Sequence, residues 1–193
     1  MYLAYTLLYL IGLCAYAPRT LWRMMRSGPF RRGISERFGK VPKRVTDVQT
    51  GAIWIHAVSV GEVNAARGLL GHLAELLPEV PVVLSTTTDT GQTLAKQAST
   101  TACFYCPVDL PWAIRPYLDT LQPLAVVLIE TELWPNLLNA CRHRDIPVAL
   151  VNARLSSSSY GGYRRLGRLW RKILSQVSVV CARTELEAAR FRD

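Results

Sequence analysis

Short apolar runs alternate with amphipathic stretches from about residue 52 to the end of the chain. Each run is four to six residues long, and together they predict buried strands at 53–58, 82–85, 103–106, 125–129, 148–151 and 177–182. The stretches between and after them predict helices at 62–77, 90–97, 112–121, 134–142, 163–175 and 185–191. Strands that are buried on both faces and joined by helix-length crossovers form a parallel sheet. The pattern therefore predicts an α/β domain with a doubly wound parallel sheet and helices on both sides.

The first eighteen residues, Met1 to Pro18, contain no charged side chain. As a helix with a rise of ~1.5 Å per residue they span about 27 Å, which is close to the ~30 Å hydrocarbon core of a bilayer. This predicts an N-terminal membrane-anchor helix, either spanning or partly inserted. A cleaved secretory signal and a buried N-terminal helix are the alternatives. Against cleavage, no basic residue precedes the apolar run, and Pro18 would come directly after the cut.

A dense basic segment follows the apolar stretch. Between Arg19 and Arg44, nine Lys or Arg accompany one acid, Glu36, and this accounts for +8 of the chain's net charge of +9. By the positive-inside rule, this flank and the domain lie on the cytoplasmic side of the inner membrane. Aromatic and Met side chains interleave with the basic ones, so an anionic lipid surface is a better partner than nucleic acid. The predicted division is a membrane anchor at 1–18, a basic membrane-proximal segment at 19–50 and the α/β domain at 51–193.

Polar side chains collect where two of the predicted strands end, and ligands of doubly wound sheets bind at that edge. The first strand is followed by Ser59 and Glu62, whose spacing fits a helix capping box as well as a catalytic carboxylate. Gly61 between them fits close packing of the strand against the helix. Glu130 and Glu132 follow the fourth strand and fit either a site at the sheet edge or an ordinary helix start. Neither a G-x-G-x-x-G nor a G-x-x-x-x-G-K-[ST] nucleotide motif occurs in the chain.

The sequence offers no pattern for a metal ion. Cys103 and Cys106 have C-x-x-C spacing, but no second Cys or His pair completes a zinc site. No D-x-D motif occurs either. We therefore expect no metal and no bound cofactor, with the five cysteines as buried free thiols.

Two further features allow more than one interpretation. Arg164, Arg168 and Arg171 fall on one face of the helix predicted at 163–175. That face is either solvated or a contact for lipid phosphates or a membrane. His56 ends an apolar strand and is either a structural histidine or a group that shapes the site.

Five motifs occur in order along the chain: H-A-V-S-V-G-E at 56–62, S-T-T-T-D-T-G at 85–91, P-V-D-L-P at 107–111, E-T-E-L-W-P-N at 130–136 and N-A-R-L-S at 152–156. Together with the anchor and E-R-F-G at 36–39, they closely resemble the 3-deoxy-D-manno-octulosonic acid (Kdo) transferases of lipopolysaccharide synthesis. The resemblance covers essentially the whole chain. It implies the Rossmann-like N-terminal, acceptor-side domain of a GT-B glycosyltransferase. We expect the C-terminal donor-binding domain to be absent from this chain.

The resemblance also implies an activity, namely transfer of Kdo from CMP-Kdo to a lipid A precursor (lipid IVA) by an inverting, metal-independent enzyme. Glu62 is then the proton acceptor, and Glu130 stabilises the transition state. The residues implied in acceptor binding are Ser59, Gly61, Glu132 and Arg154. The alternative is a non-catalytic half-enzyme that only binds acceptor lipid and membrane.

Overall fold

The computed structural model describes the backbone of residues 1–26 and 33–192 and the side chains of residues 1–16 and 33–192. Six parallel strands form one sheet in the order β3-β2-β1-β4-β5-β6. The strands are β1 (Ile53–His56), β2 (Val82–Thr86), β3 (Ala102–Tyr105), β4 (Ala125–Ile129), β5 (Val148–Ala153) and β6 (Val179–Ala182). All six predicted strands are present, so the predicted α/β fold with a parallel sheet is confirmed.

Ten helices accompany the sheet in the described residues. They are α1 (Tyr2–Arg26), α2 (Ile34–Arg37), α3 (Lys43–Thr46), α4 (Val60–Leu76), α5 (Asp89–Ala95), α6 (Pro111–Leu121), α7 (Pro135–Arg142), α8 (Ser157–Leu166), α9 (Arg168–Leu174) and α10 (Glu185–Arg192). The prediction of a single helix at 163–175 is wrong. Two helices occupy this region, because Gly167 adopts a φ of 42° and ends α8.

The strand order reverses direction at β1. β1 pairs with β2 on one side and with β4 on the other, with His56 opposite Ser85 and Leu128. Chain connections therefore leave the carboxyl ends of β1 and β4 toward opposite sides of the sheet, and a crevice opens between them. In open α/β sheets this reversal point is where ligands bind.

Helices cover both faces of the sheet because alternate strand residues point in opposite directions. Ile53 and Ile55 of β1 belong to the hydrophobic cluster that includes Val63 and Leu70 of α4. Trp54 points to the other face, where its ring lies 5.5 Å from Phe104 and 6.2 Å from Tyr117, measured between ring centroids. The predicted double-sided burial fails at β6. Val179 of that strand is 50% exposed, and Cys181 is also exposed.

Helix α1 packs against the domain through a polar face. The buried hydroxyl of Thr6 hydrogen bonds with the Asn136 side chain at 3.0 and 3.2 Å. The Gln176 amide donates to the Tyr2 hydroxyl at 2.5 Å. The opposite face of α1 exposes Leu3, Leu7, Leu8 and Ile11. No helix in the described residues is long and apolar enough to cross a membrane, so the spanning form of the anchor predicted at 1–18 is not supported.

Part of the basic segment predicted at 19–50 contacts the sheet edge. Arg44 donates to Glu36 and to the Cys103 carbonyl, each at 2.6 Å. Arg37 donates to the Thr87 carbonyl at 2.6 Å. These two arginines therefore hold the E-R-F-G element against the domain, a structural role that the sequence analysis did not assign. The side chains of five other basic residues in that segment lie outside the described part of the chain, namely Arg19, Arg23, Arg26, Arg31 and Arg32.

Candidate active site

The predicted site residues come from three adjacent strand ends. Glu62 lies in the first turn of α4, directly after β1. Glu130 and Glu132 follow β4, which pairs with β1, and Arg154 follows β5. The strand order therefore brings residues that are far apart in sequence to one edge of the sheet. This edge includes the reversal of strand order between β1 and β4.

Two hydrogen bonds fix the Glu62 carboxylate. Its Oε2 accepts from the Val58 backbone N–H at 2.7 Å, and its Oε1 accepts from the Ser59 hydroxyl at 3.1 Å. The residue is only 8% exposed. Burial raises the pKa of Glu62 and the nearby Glu130 carboxylate raises it further, while the hydrogen bonds from Val58 and Ser59 oppose the shift. A carboxylate with a raised pKa is a better proton acceptor near neutral pH.

The capping box that fits the Ser59–Glu62 spacing is formed only in part: Ser59 is the N-cap of α4, and the Glu62 carboxylate hydrogen bonds with the Ser59 backbone, but the half made by the Ser59 side chain is missing. In a capping box the Ser hydroxyl accepts a hydrogen bond from the backbone N–H at the third helical position. Ser59 stands at the N-cap of α4, but its side chain makes no cap hydrogen bond. It donates to the Glu62 carboxylate instead. Ser59 thus orients the candidate base rather than the helix backbone.

Gly61 has space around it. A Cβ atom built at this position meets only the Ser59 Oγ, at 3.9 Å, which is ordinary van der Waals contact. Its backbone is not in the left-handed region that favours glycine. The close strand-to-helix packing considered for Gly61 is therefore not observed. Gly61 is itself exposed in the first turn of α4.

Glu130 has an unusual backbone conformation, with a φ of 62°. A non-glycine residue in this left-handed region costs of order 1–3 kcal/mol, and such residues cluster at functional sites. Its carboxylate lies 3.6 Å from the Arg154 guanidinium. The backbone is held by the Glu130 N–H, which donates to the Val151 carbonyl at 2.8 Å, and by Thr131, which hydrogen bonds with the Arg154 backbone. The strain is therefore imposed by the strand ends around Glu130.

Glu132 completes a group of three carboxylates. Burial raises the pKa of Glu132, and the charges of Glu62 and Glu130 raise it further. Because the charges of Glu62 and Glu130 affect the pKa of Glu132, the three carboxylates lie close enough to interact electrostatically. Of the predicted site residues, Glu62 is joined to Ser59 and Glu130 to Arg154 by direct contacts, and Glu132 is linked through charge alone.

His56 is fully buried at the end of β1. Its Nδ1 lies 2.9 Å from the Ser85 Oγ, and burial lowers its pKa to about 4, so the ring is neutral at pH 7. Its Nε2 has no hydrogen-bond partner among the described residues, and neither has Nε1 of Trp134. The two rings meet edge to face at 6.1 Å between centroids. This favours the interpretation of His56 as a neutral group that shapes the site.

Asp109 is a residue whose role sequence reasoning missed, although P-V-D-L-P was identified as a motif. Its carboxylate, 1% exposed, accepts from the backbone N–H groups of Asn136 and Leu137 at 3.0 and 2.9 Å. It thereby caps α7 and supports the loop that carries Glu132. It also hydrogen bonds to the Tyr5 side chain of α1, and burial raises its pKa to about 6. Only the fold brings these three segments together.

An apolar cleft of about 380 Å³ opens next to Glu132. It runs between α1, the loop after β4 and helices α8 and α9. Its lining residues are Tyr5, Thr131, Glu132, Leu133, Trp134, Tyr163, Leu166, Trp170 and Ile173. We call this the apolar cleft. It joins the carboxylates to the side of the domain that carries α1.

Cys103, Cys106 and Cys141 are buried thiols as expected, but Cys14 and Cys181 are exposed, so the expectation of burial is wrong for these two. Within the described residues, no group of three or more His, Cys, Asp or Glu side chains is placed to hold a metal ion.

Comparison with known proteins gives one consistent result. The family model described as 3-deoxy-D-manno-octulosonic-acid transferase (kdotransferase) matches residues 32–193. A 3-deoxy-D-manno-octulosonic acid transferase of Haemophilus influenzae is 34% identical over 169 residues, covering 86% of this chain. One from Bordetella pertussis is 35% identical over 180 residues, or 89% of the chain. A probable mitochondrial one from Arabidopsis thaliana is 33% identical over 175 residues. The matched part makes up 39%, 42% and 39% of the length of these three relatives.

Proposed function

The chain belongs to the Kdo transferase family, and from that premise we propose that it is the acceptor-side part of an enzyme that transfers Kdo from CMP-Kdo to a lipid A precursor such as lipid IVA. The observation that carries the proposal is the Glu62 carboxylate. It is buried, oriented by two hydrogen bonds and placed at the reversal of strand order. Glycosyl transfer needs a fixed proton acceptor for the attacking hydroxyl.

In the proposed reaction, a sugar hydroxyl of the acceptor attacks the anomeric carbon of Kdo. The new bond forms between that oxygen and the anomeric carbon, while the bond to the CMP phosphate breaks and its electron pair leaves with CMP. Glu62 accepts the hydroxyl proton. A single displacement of this kind inverts the anomeric centre. Protein charges, rather than a metal ion, then stabilise the separating charges.

Glu130 and Arg154 form the second functional pair of the proposal. Their side chains are 3.6 Å apart and both partly exposed. We assign Glu130 to transition-state stabilisation, either by contact with the acceptor or by holding Arg154 in place. Ser59, Gly61 and Glu132 complete the acceptor side. The apolar cleft beside Glu132 suits the acyl part of a lipid acceptor.

We predict that Gly61→Ala lowers Kdo transfer at least about tenfold without lowering stability. An alanine fits the backbone of α4 and reduces the entropy of the unfolded chain, so stability stays equal or rises by about 0.4–1 kcal/mol. Gly61 is exposed and directly precedes Glu62, so on the proposed function the added methyl group meets the bound acceptor, and a small misplacement of reacting groups costs about 10²-fold. Transfer is measured from CMP-Kdo to lipid IVA, in a polypeptide that joins residues 1–193 to the part of the Haemophilus influenzae relative that lies outside the matched region.

Gly68→Ala is the matched control, because Gly68 lies in the same helix and an added Cβ meets nothing within 4 Å. It should retain full transfer. Equal activity of both variants would remove Gly61 from the acceptor site. Absence of any Kdo transfer by the unsubstituted fusion, with folding intact, would contradict the proposed function and leave the alternative that the chain only binds acceptor and membrane.

We also propose that α1 lies in the membrane interface, with the domain on the cytoplasmic side of the inner membrane. Leu3, Leu7, Leu8 and Ile11 form an exposed apolar stripe on α1, with Leu3 74% and Leu8 68% exposed. The polar face of the helix packs on the domain. An exposed apolar stripe beside a basic segment is typical of helices that lie in the interface plane.

Leu7→Ser combined with Leu8→Ser should weaken binding to anionic phospholipid vesicles at least about tenfold, because each leucine contributes roughly 1 kcal/mol or more when it leaves water. Binding is measured by vesicle flotation. Leu76→Ser with Leu124→Ser is the control, since these leucines are 74% and 58% exposed but lie away from α1. Equal binding by the two double variants would rule out α1 as the contact.

A further inference from the structure

We propose that a second cleft, lined by arginines of α8, α9 and α10, binds a phosphate group of a phosphorylated lipid. The cleft has a volume of about 400 Å³. Its lining includes two aromatic residues, Tyr163 and Trp170, and four arginines, namely Arg164, Arg171, Arg190 and Arg192. We call it the arginine cleft. Among the residues that the structure describes, four guanidinium groups and no carboxylate line it.

Three of the four cations are available for a ligand. The side chains of Arg164, Arg171 and Arg192 make no ion pair or hydrogen bond within residues 33–192. Arg190 is held in place, because it donates to the Leu155 carbonyl and to the Ser157 hydroxyl at 2.8 Å. The cleft therefore combines one oriented cation with three that have no partner in this part of the fold.

The charge of the surrounding segment favours an anion. Residues 154–193 contain nine Lys or Arg and three acids. One of those acids, Glu187, is already engaged by the Thr184 hydroxyl at 3.0 Å. Like charges that face one cleft repel each other unless a counter-ion binds. Guanidinium groups match phosphate oxygens with parallel hydrogen bonds, so phosphate is the ligand chemistry that fits best.

The position of the cleft indicates that the phosphate is carried by a lipid. Tyr163 and Trp170 stack at 3.7 Å between ring centroids and line both the arginine cleft and the apolar cleft. A charged cavity and an apolar cavity thus share one aromatic wall. The apolar cleft also contains Tyr5 of α1 and Glu132 of the candidate active site. An amphiphile with a phosphate next to its acyl chains fits both cavities at once.

Naming the amphiphile rests on the proposed function. If that function holds, the ligand is a phosphate monoester of the lipid A precursor, which carries about −1.5 to −2 charges per phosphate as phosphate monoesters do at pH 7. The other source of the same chemistry is the phosphodiester of a bilayer phospholipid. The two sources can be separated with vesicles of equal surface charge.

The test measures binding of the chain to phosphatidylcholine vesicles that carry either lipid IVA or phosphatidylglycerol, at one ionic strength. Arg164→Ala with Arg171→Ala removes two cations from the arginine cleft. Arg165→Ala with Arg168→Ala is the matched control, because it removes the same charge from the same two helices but from residues that do not line the cleft. All four side chains are exposed, so both double variants should fold, which thermal melting checks.

We expect the cleft variant to lose at least about tenfold in affinity for lipid IVA vesicles, since one charge-assisted hydrogen bond contributes that much. The control variant should lose less than about threefold. On phosphatidylglycerol vesicles the two variants should behave alike. Equal losses on lipid IVA would overturn the proposal, and a selective loss on phosphatidylglycerol alone would overturn its assignment to the acceptor.

The outcomes also separate this proposal from the proposed function. If the unsubstituted chain prefers lipid IVA vesicles but both variants lose the same affinity, the chain binds the acceptor and the arginine cleft is not its phosphate site. If the unsubstituted chain shows no preference for lipid IVA vesicles, the proposal that lipid IVA is the acceptor is contradicted. A selective loss in the cleft variant on both kinds of vesicle supports a phosphate site and assigns it to bilayer lipid.

Discussion

Glu62→Gln should fold normally and lose at least about a hundredfold in Kdo transfer. An amide accepts no proton at neutral pH, and removal of a general base typically costs about 10²–10⁴-fold in rate. The amide oxygen still accepts one of the two hydrogen bonds now made by Val58 and Ser59. The loss of the other costs about 1 kcal/mol. Activity and stability therefore change by very different amounts.

The measurement is the rate of transfer from CMP-Kdo to lipid IVA in the same fused polypeptide, with circular dichroism and thermal melting as folding controls. Glu75→Gln removes a carboxylate from an exposed position of the same helix and should leave the rate unchanged. In the unsubstituted protein, the rate should fall as the pH drops through the raised pKa of Glu62, because the protonated carboxyl cannot act as a base. Near-normal transfer by Glu62→Gln would exclude this residue from the mechanism.

Glu130→Gln should reduce turnover by about 10- to 100-fold, as expected when one preorganised charge near the reacting atoms is lost. Stability should hardly change. The ion pair with Arg154 is 3.6 Å long and partly exposed, and such pairs contribute about 0–1 kcal/mol. The backbone hydrogen bond from Glu130 to Val151 does not depend on the side chain.

Glu130→Gly provides a sharper comparison, because glycine adopts a φ of 62° without strain. This variant should melt at a higher temperature, by an amount that corresponds to about 1 kcal/mol, and should be as slow as Glu130→Gln. A gain in stability together with a loss of activity in Glu130→Gly would identify Glu130 as a residue that serves function at the expense of stability. If both variants lose stability and keep their rate per folded molecule, Glu130 is a structural residue.

The hydrophobic pattern predicted the sheet well because burial alone decides those positions. The run at 125–129 contains only apolar residues and forms β4 with the predicted ends. At β6 the same reasoning overestimated burial, since an apolar sequence does not say what covers a strand at the sheet edge. The break between α8 and α9 depends on the backbone angle of one residue, Gly167, and Gly161 and Gly162 stay inside α8. Glycine content therefore could not predict the break.

The candidate site was found in part because strand ends are recognisable and in part through the resemblance to a family. Its conformational details were not predictable. The left-handed backbone of Glu130 arises from hydrogen bonds between neighbouring strand ends. The apolar stretch at 1–18 was interpreted as an anchor by its average composition. The average composition does not show that the hydroxyl-bearing side chains at positions 2, 5, 6 and 9 lie on one face of the helix. In the structure this face packs against the domain.

The contact between Thr6 and Asn136 also sets an order of events during synthesis, since the two residues are 130 positions apart. At about 5–20 residues per second, Asn136 is added on the order of ten seconds after Thr6. Helix α1 therefore spends that interval without its binding surface on α7 and with both faces uncovered. A nascent chain in this state exposes leucines and tyrosines together. We expect the ribosome-bound chain to reach a lipid bilayer or a chaperone through α1 before the domain that orients this helix has folded.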